Sequence, residues 1–334
     1  MNLNFSIIIP VFNRSQEIDE LLESLTLQTY SEKFEVIVID DGSTDKSDIV
    51  VKNYQDSLDV KYFYKENSGP GQSRNYGMKK ALGNYFIILD SDVLLPENYL
   101  DIISTILKNN FSEAFGGPDA ALPNFTQIQK AINYAMTSFL TTGGLRGSES
   151  KNKKFQLRSF NLGLSKKAFE MTGGFSKQHF GEDIDLTFRL WENNLSTQFI
   201  QKALVFHKRR TSFQQFFQQT FNFGAARPIL NKKYPKSNKL TFWFPTVFVF
   251  FIFLSIVLTI FGQYAFTSIL VIYLFLILID ASIKNKSMLT GFYSVFATIV
   301  QFFGYGLGFL RSTIRLNILN RSVKQTFPKM FKEN

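Results

Sequence analysis

The 334-residue chain has no cysteine. No disulfide can form, which suits a reducing compartment, and no thiol is available as a nucleophile. Acidic residues nearly vanish toward the C-terminus. Residues 208–334 hold 16 Lys+Arg and only Asp280 and Glu333, whereas residues 1–207 hold 21 Lys+Arg and 25 Asp+Glu. The net charge of +10 thus divides into −4 and +14. The basic part flanks long hydrophobic runs, so an anionic membrane surface is the expected partner rather than nucleic acid. The N-terminus shows no signal peptide, only a short apolar run that meets Pro10, so residues 1–207 are expected to stay in the cytoplasm.

What is present is organised around Tyr85-Phe86-Ile87-Ile88-Leu89, an apolar run that ends in Asp90-Ser91-Asp92. Five apolar residues read as a buried strand, and two carboxylates one residue apart at its end call for a reason. In an open α/β sheet that end is where ligands lie. A hard divalent cation carrying phosphate oxygens matches the pair. On Asp-Ser-Asp alone, a polar strand end that caps the following helix serves equally well.

Other segments follow the same plan. Phe5–Ile9 reads as a strand ended by Pro10-Val11-Phe12-Asn13. Ser15 can cap a helix with Ile18, Leu21, Leu22 and Leu25 on one face. Phe34–Ile39 is a second strand, ending in Asp40-Asp41-Gly42-Ser43, and Ser43 or Thr44 can cap a helix to about Tyr54. A short strand from Val60 to Tyr64 leads to Gly69-Pro70-Gly71 and a helix over 73–81. Strands alternating with helices define an α/β fold with a mainly parallel sheet. Each loop has a plain reading as a turn, a cap or a surface charge. Together they assemble a carboxylate able to accept from a base, a glycine loop opening a helix, an Arg for phosphate and a metal pair. The Gly69-x-Gly71 spacing is neither a Walker nor a dinucleotide fingerprint.

Taken in order, Pro10-Val11-Phe12-Asn13, Asp40-Asp41-Gly42-Ser43 with Asp45, Gly71-Gln72-Ser73-Arg74-Asn75, Asp90-Ser91-Asp92, Gly173-Gly174-Phe175 and Gly181-Glu182-Asp183-Ile184-Asp185 make the chain resemble the family 2 inverting glycosyltransferases of GT-A fold, over about residues 5–210. The resemblance implies a Rossmann-like catalytic domain and a nucleotide-sugar donor. Asp40 would bond the base, with Pro10, Val11 and Asn13 lining its pocket and Asp41 beside it. Arg74 would lie near the diphosphate, and Asp90 and Ser91 near the ribose or metal. Asp92 would hold Mg²⁺ or Mn²⁺. Asp183 would be the general base toward the acceptor hydroxyl, with Gly173, Gly174, Phe175 and Glu182 on the acceptor side. The family usually has an acidic residue after the Asn of its first loop; here it is Arg14. The resemblance also allows His207, at the end of a last strand, to complete the metal site; on its own a single His reads as a packing residue.

Phe115–Asp119 looks like a strand running into a turn, and Gly143 to Lys154 reads as a mobile loop over the site. Beyond Lys208-Arg209-Arg210, Phe213, Phe216, Phe217 and Phe221 recur at helical spacing, an amphipathic helix suited to the membrane interface or to packing on the catalytic domain. The expected organisation is a catalytic domain over 1–210, an interfacial helix and basic linker over 211–241, membrane helices at about 242–261, 264–283 and 288–310, and a basic tail over 311–334. Tyr264–Ile279 is short for a span because Asp280 interrupts it, and Gly304, Gly306 and Gly308 are candidate breaks in the last segment. The positive-inside tendency predicts an even number of crossings and a cytoplasmic C-terminus.

The expectation is a multi-pass inner-membrane enzyme with a cytoplasmic catalytic domain, moving a sugar from a UDP-linked donor to a lipid-linked or saccharide acceptor in surface polysaccharide assembly. The rivals are a processive synthase, against which the missing Gln-x-x-Arg-Trp motif counts, and a catalytically silent nucleotide-binding scaffold, against which the intact Asp90, Asp92 and Asp183 count.

Overall fold

The structure is a computed structural model and describes residues 2–122, 125–143, 154–178 and 180–327. The expected loop over the site falls almost wholly outside these residues, as do Lys329 and Lys332 of the basic tail. In chain order the elements are β1 (Phe5–Val11), α1 (Ser15–Thr26), β2 (Glu35–Asp40), α2 (Asp48–Lys52), β3 (Asp59–Tyr64), α3 (Pro70–Lys80), β4 (Tyr85–Leu89), β5 (Val93–Leu94), α4 (Tyr99–Asn109), β6 (Ala114–Gly116), β7 (Asp119–Ala120), α5 (Gln127–Thr137), α6 (Phe139–Thr142), β8 (Asn161–Ser165), α7 (Lys166–Thr172), α8 (Glu182–Glu192), β9 (Thr197–Phe199), β10 (Val205–His207), α9 (Phe213–Lys233), α10 (Phe244–Ile260), α11 (Ala265–Asn285) and α12 (Met288–Thr313). Among the described residues, one unit takes in 2–120 and 154–208, and a second takes in 121–143 and 209–327.

The first unit is built on a seven-stranded sheet of order β3-β2-β1-β4-β8-β6-β9. β1, β2, β3 and β4 run parallel, β8 runs against β4 and β6, and β9 returns parallel to β6. The sheet is therefore mainly parallel, with one reversed strand that the sequence pattern did not separate. β1, β2 and β4 are buried along their whole length, the burial expected of strands covered on both faces. Alternate residues divide between the faces. Ile7, Ile9, Val36, Val38 and Ile87 pack with Ile18, Leu21 and Leu25 of α1 and with α4. Ile8, Ile37, Phe86 and Ile88 pack with Met78 of α3 and Leu186 and Leu190 of α8. Ile18, Leu21, Leu22 and Leu25 are the stripe expected from their spacing, and each buried side chain contributes about 1.5–3 kcal/mol. Pro10 lies opposite Ile39 of β2, past the last β1–β4 pair at Ile8, so its missing N–H costs no ladder bond on the β4 side.

Two expected helix starts fall elsewhere. Ser15 is the first helical residue of α1, and its hydroxyl donates to Asp45 (2.6 Å). Ser43 is not a cap, because α2 begins only at Asp48. Its hydroxyl accepts from the Asn13 N–H at 2.9 Å, joining the loops after β1 and β2. A smaller sheet, β5-β10-β7, lies beside the main one. In it His207 stands opposite Val93.

The second unit is helical. Three of its helical stretches, Leu240–Ile260, Ala265–Asn285 and Met288–Ile318, are long and apolar enough to cross a membrane. α11 runs on through Asp280, the charge that interrupts its apolar run, as the expected helix at about 264–283 does. The carboxylate is satisfied there by the Tyr134 hydroxyl of α5 (2.6 Å) and by Lys284 one turn on (2.9 Å). Nor do Gly304, Gly306 and Gly308 break α12, which is continuous from Met288 to Thr313. A Cβ at Gly304 would meet the Thr220 hydroxyl at 2.1 Å, and one at Gly308 the Phe221 carbonyl at 2.1 Å. A Cβ at Gly224 of α9 would in turn meet the Tyr305 carbonyl, at 2.0 Å. These glycines let α9 and α12 touch backbone to backbone.

Candidate active site

The ends of β1, β2 and β4, the start of α3 and the start of α8 supply the polar groups picked out in the sequence. Asn13, in the left-handed region at φ 51°, accepts from the Thr44 N–H through Oδ1 (2.8 Å). Asp40 is fully buried at the end of β2. Its Oδ1 accepts from the Ser43 N–H (2.7 Å) and its Oδ2 from the Tyr62 hydroxyl (2.7 Å). Asp41 accepts from Lys65 Nζ (2.5 Å) and from the N–H groups of Ser68 (2.9 Å) and Gly69 (2.8 Å). It thereby shapes the turn that opens α3. Gly69 has φ 90° there, a conformation glycine adopts without strain.

Arg74 is buried and links two carboxylates. Its Nη2 donates to Asp90 Oδ1 (2.6 Å) and its Nη1 to Glu182 Oε1 (3.1 Å), with the Phe175 ring 5.1 Å from the guanidinium carbon. Nε has no hydrogen-bond partner among the described residues. Asn75 fixes the neighbouring turn: its side chain donates to the Phe175 carbonyl and accepts from the Phe175 N–H, both at 2.8 Å. Gly173 and Gly174 both have positive φ, and a Cβ at Gly174 would meet Asn75 Oδ1 at 2.2 Å. Asp185 is buried. It holds Arg189, which donates to the Thr172 and Gly174 carbonyls.

Asp90, Asp92 and His207 converge. One ligand atom from each lies within 4.8 Å of the others. The pairing of β5 with β10 makes this possible, since it sets His207 beside the residue after Asp92, and the Lys208 N–H donates to the Asp92 carbonyl (3.0 Å). His207 Nε2 lies 3.2 Å from Asp92 Oδ1, and Nδ1 faces Asp119 at 3.7 Å. Arg14 pairs with Asp92 Oδ2. Burial disfavours the charged form of Asp92, but His207 and Arg14 outweigh it and hold the carboxyl well below the usual range. Two carboxylates and an imidazole are a donor set that suits Mn²⁺ or Mg²⁺.

On the other side of Arg74, Glu182 is 6% exposed and Asp183 is only partly covered. Burial, and then the charge of Asp183, push Glu182 up to about 8, against the opposing pull of Arg74. Burial also raises Asp183, against hydrogen bonding from the Ile184 N–H and the charge of Arg74. All the residues picked out in the sequence lie in the first unit, and the structure brings Asp90, Asp92 and His207 into one cluster that Arg74 joins to Glu182. The sequence reading gave no role to Asn75, Lys65, Tyr62 or Asp119. Asn75 stood in a quoted motif and Asp119 in a noted turn. Lys65 and Tyr62 carried no signal beyond strand and loop composition.

A mainly parallel sheet whose central strand ends in Asp-x-Asp, with one reversed strand beside it, is a GT-A architecture. The sequence profile of "Glycosyl transferase family 2" matches residues 6–173, half of the chain, and the chain belongs to that family. It is similar to an uncharacterized glycosyltransferase of Rickettsia felis, 40% identical over 107 residues, which is 32% of this chain and 18% of that one. It is also similar to the GalNAc(5)-diNAcBac-PP-undecaprenol beta-1,3-glucosyltransferase of Campylobacter jejuni, 26% identical over 228 residues, 66% of this chain and 68% of that one. The match spans under a fifth of the length of the Rickettsia felis, Rickettsia bellii and Rickettsia conorii relatives. Among solved structures, a mannosyltransferase of Pyrobaculum calidifontis in complex with GDP-Man and Mn²⁺ shares the fold, with TM-score 0.56 at 19% identity, covering 69% of this chain and 65% of that one.

Proposed function

We propose that this protein is a membrane-anchored, inverting, metal-dependent glycosyltransferase that moves a sugar from a UDP-linked donor to a hydroxyl of a lipid-linked or saccharide acceptor. The observation that carries this reading is the cluster of Asp90, Asp92 and His207, joined through Arg74 to Glu182, the neighbour of Asp183. The undecaprenol-linked substrate named for the Campylobacter relative supports the lipid-linked acceptor, and the three apolar helical stretches support the membrane anchor.

In this reading Asp40, Asp41, Pro10, Val11 and Asn13 surround the nucleotide base, and Ser91 lies by the ribose. Mg²⁺ or Mn²⁺ held by Asp90, Asp92 and His207 would offset the charge that builds on the leaving diphosphate. Arg74 would add a second positive charge there. The acceptor oxygen attacks the anomeric carbon, its proton passes to the Asp183 carboxylate, and the bond to the diphosphate breaks with the electron pair leaving on the nucleotide. Asp183 suits the role because it is the more open of the two neighbours, while Glu182 is occupied with Arg74. Gly173, Gly174 and Phe175 border the acceptor side.

The test is a panel of sugar nucleotides incubated with the purified protein and Mn²⁺ or Mg²⁺, with release of nucleoside diphosphate measured. Release that depends on both a donor and a hydroxyl acceptor supports the reading. Binding without turnover across the panel, in the presence of lipid-linked acceptors, would leave a nucleotide-binding scaffold instead.

A further inference from the structure

We propose that α12, although long enough to span, lies along the membrane surface on the side where α10 begins, against anionic lipid headgroups, and that only the α10–α11 hairpin crosses. This rests on the membrane-anchored reading above. α10 and α11 form an antiparallel pair closed at Gly262, with Thr259 and Thr267 in hydroxyl contact beside the turn. Depth can therefore be counted along the hairpin from Gly262. Near its start α12 touches α11: a Cβ at Gly291 would meet the Leu278 carbonyl at 2.7 Å and the Ser282 hydroxyl at 1.9 Å. Farther on, α12 touches the start of α10. The Thr246 hydroxyl donates to the Gly306 carbonyl (3.1 Å), and a Cβ at Gly306 would meet the Pro245 carbonyl at 2.8 Å. Leu278 and Ser282 lie 16 and 20 residues after Gly262, and Pro245 lies 17 before it. The two contacts are thus at nearly the same depth, while α12 advances about 22 Å between them at 1.5 Å per residue.

A spanning α12 would instead bring its later residues down to the hairpin turn. Its middle does dip, with Phe302 on Phe248 (4.7 Å between ring centres) and Phe303 on Phe253 (6.2 Å). It then comes back, with Phe309 against Trp243 (4.9 Å) and the Leu316 carbonyl 3.5 Å from Lys232 Nζ. Trp243 and Lys232 both precede α10, so the end of α12 lies on the side from which the hairpin enters.

The side chains of α12 suit that position. Leu289, Phe292, Phe296 and Leu307 are exposed and fall on one narrow stripe of the helix. Gly291, Ser294 and Thr298, on the opposite side, are buried, and α9 covers Gly304 and Gly308 at the flank. An apolar stripe on a helix packed from behind fits the boundary between headgroups and acyl chains. Lys232, Lys233, Lys236 and Lys239 before α10, with Arg311, Arg315, Arg321 and Lys324 at and after the end of α12, then share one level, which selects an anionic leaflet.

The chain has no cysteine, so single-cysteine variants can be read without a background. Gln263→Cys at the hairpin turn and Leu319→Cys after α12 would be treated with a membrane-impermeant maleimide in intact cells and after permeabilisation. The expected result is that Gln263→Cys labels in intact cells while Leu319→Cys labels only after permeabilisation. Labelling of both in intact cells would mean that α12 crosses, which overturns the inference and leaves the anchor standing. Loss of external labelling at Gln263→Cys would overturn the anchor and the inference together. In reconstituted vesicles, a fluorophore on Phe292→Cys should be quenched more by a shallow lipid-borne quencher than by one at the bilayer centre. The reverse order would overturn the surface position.

Discussion

The Arg14 guanidinium pairs with Oδ2 of Asp92 while His207 lies against Oδ1, so the two oxygens of one buried carboxylate are held by two different cationic or imidazole groups. A divalent cation arriving at Asp92 must compete with Arg14, whose side chain is 29% exposed and can move toward solvent. Arg14→Gln should therefore tighten Mn²⁺ binding in the absence of nucleotide by roughly 3- to 10-fold, the scale of a partly exposed ion pair worth about 1 kcal/mol. Titration of free Mn²⁺ by electron paramagnetic resonance reads this directly. Unchanged or weaker binding would show that Arg14 supports the site rather than competing for it.

Removing the carboxylate should act in the opposite sense. Asp92→Asn is expected to abolish transfer and sharply weaken donor binding in Mn²⁺, because a charged ligand to the cation is lost. A chelator should reproduce the effect in the unmodified protein. Full activity in excess EDTA would remove the metal from the mechanism.

Asp183→Asn keeps the side chain's size and removes its basicity. Turnover should fall by about 100-fold or more, the usual scale for a lost general base, with the donor KM little changed. Melting curves should confirm that the variant folds. If Glu182→Gln is inactive while Asp183→Asn turns over normally, the base is Glu182.

Glu182 also predicts a pH dependence of stability. Its carboxyl is raised from 4.5 to about 8 in the folded protein, first by burial and then by the charge of Asp183. Between those values the folded state holds a proton that the unfolded chain has released, so stability falls as pH rises through that window. The contribution is complete below about pH 4.5 and lost by about pH 8. The melting temperature should decline across this range, and less steeply in Glu182→Gln. Equal slopes in the two proteins would show that other groups set the dependence.

A fifth expectation concerns Gly308. Alanine ordinarily stabilises a helix by up to about 1 kcal/mol relative to glycine. Here the added Cβ would stand 2.1 Å from the Phe221 carbonyl, and α9 would have to move. Overpacking of this kind costs about 1–3 kcal/mol, so Gly308→Ala should lower the melting temperature. A rise would mean that α9 yields easily at this point.

Much of the catalytic fold was legible because its central strands are unbroken apolar runs that stop at carboxylates. Asp40 and Asp90 sit where such runs end, and the α1 stripe is set by spacing alone. The contacts that close the site were harder to read. Arg14 and Asp92 are 78 residues apart, and they meet in a region shaped by strands of two and three residues, too short to leave a periodic trace. Ser15 and Ser43 suit helix caps by residue type, but a nearby Asp and a loop N–H offered them other partners. Gly304, Gly306 and Gly308 read as breaks because local propensity cannot show that a second backbone lies against them. Asp280 reads as an interruption of a span because its partner Tyr134 is 146 residues away.

Arg74 has a consequence of its own. One guanidinium serves both Asp90 and Glu182, so in the proposed reading the donor and acceptor sides would draw on a single positive charge. Any ligand that draws Arg74 toward a phosphate loosens its hold on Glu182 and makes that carboxyl easier to protonate. Thermodynamic reciprocity then requires the converse: protonating Glu182 must favour that ligand by the same factor. If the donor diphosphate is that ligand, its affinity and the proton affinity of Glu182 are two readings of one coupling.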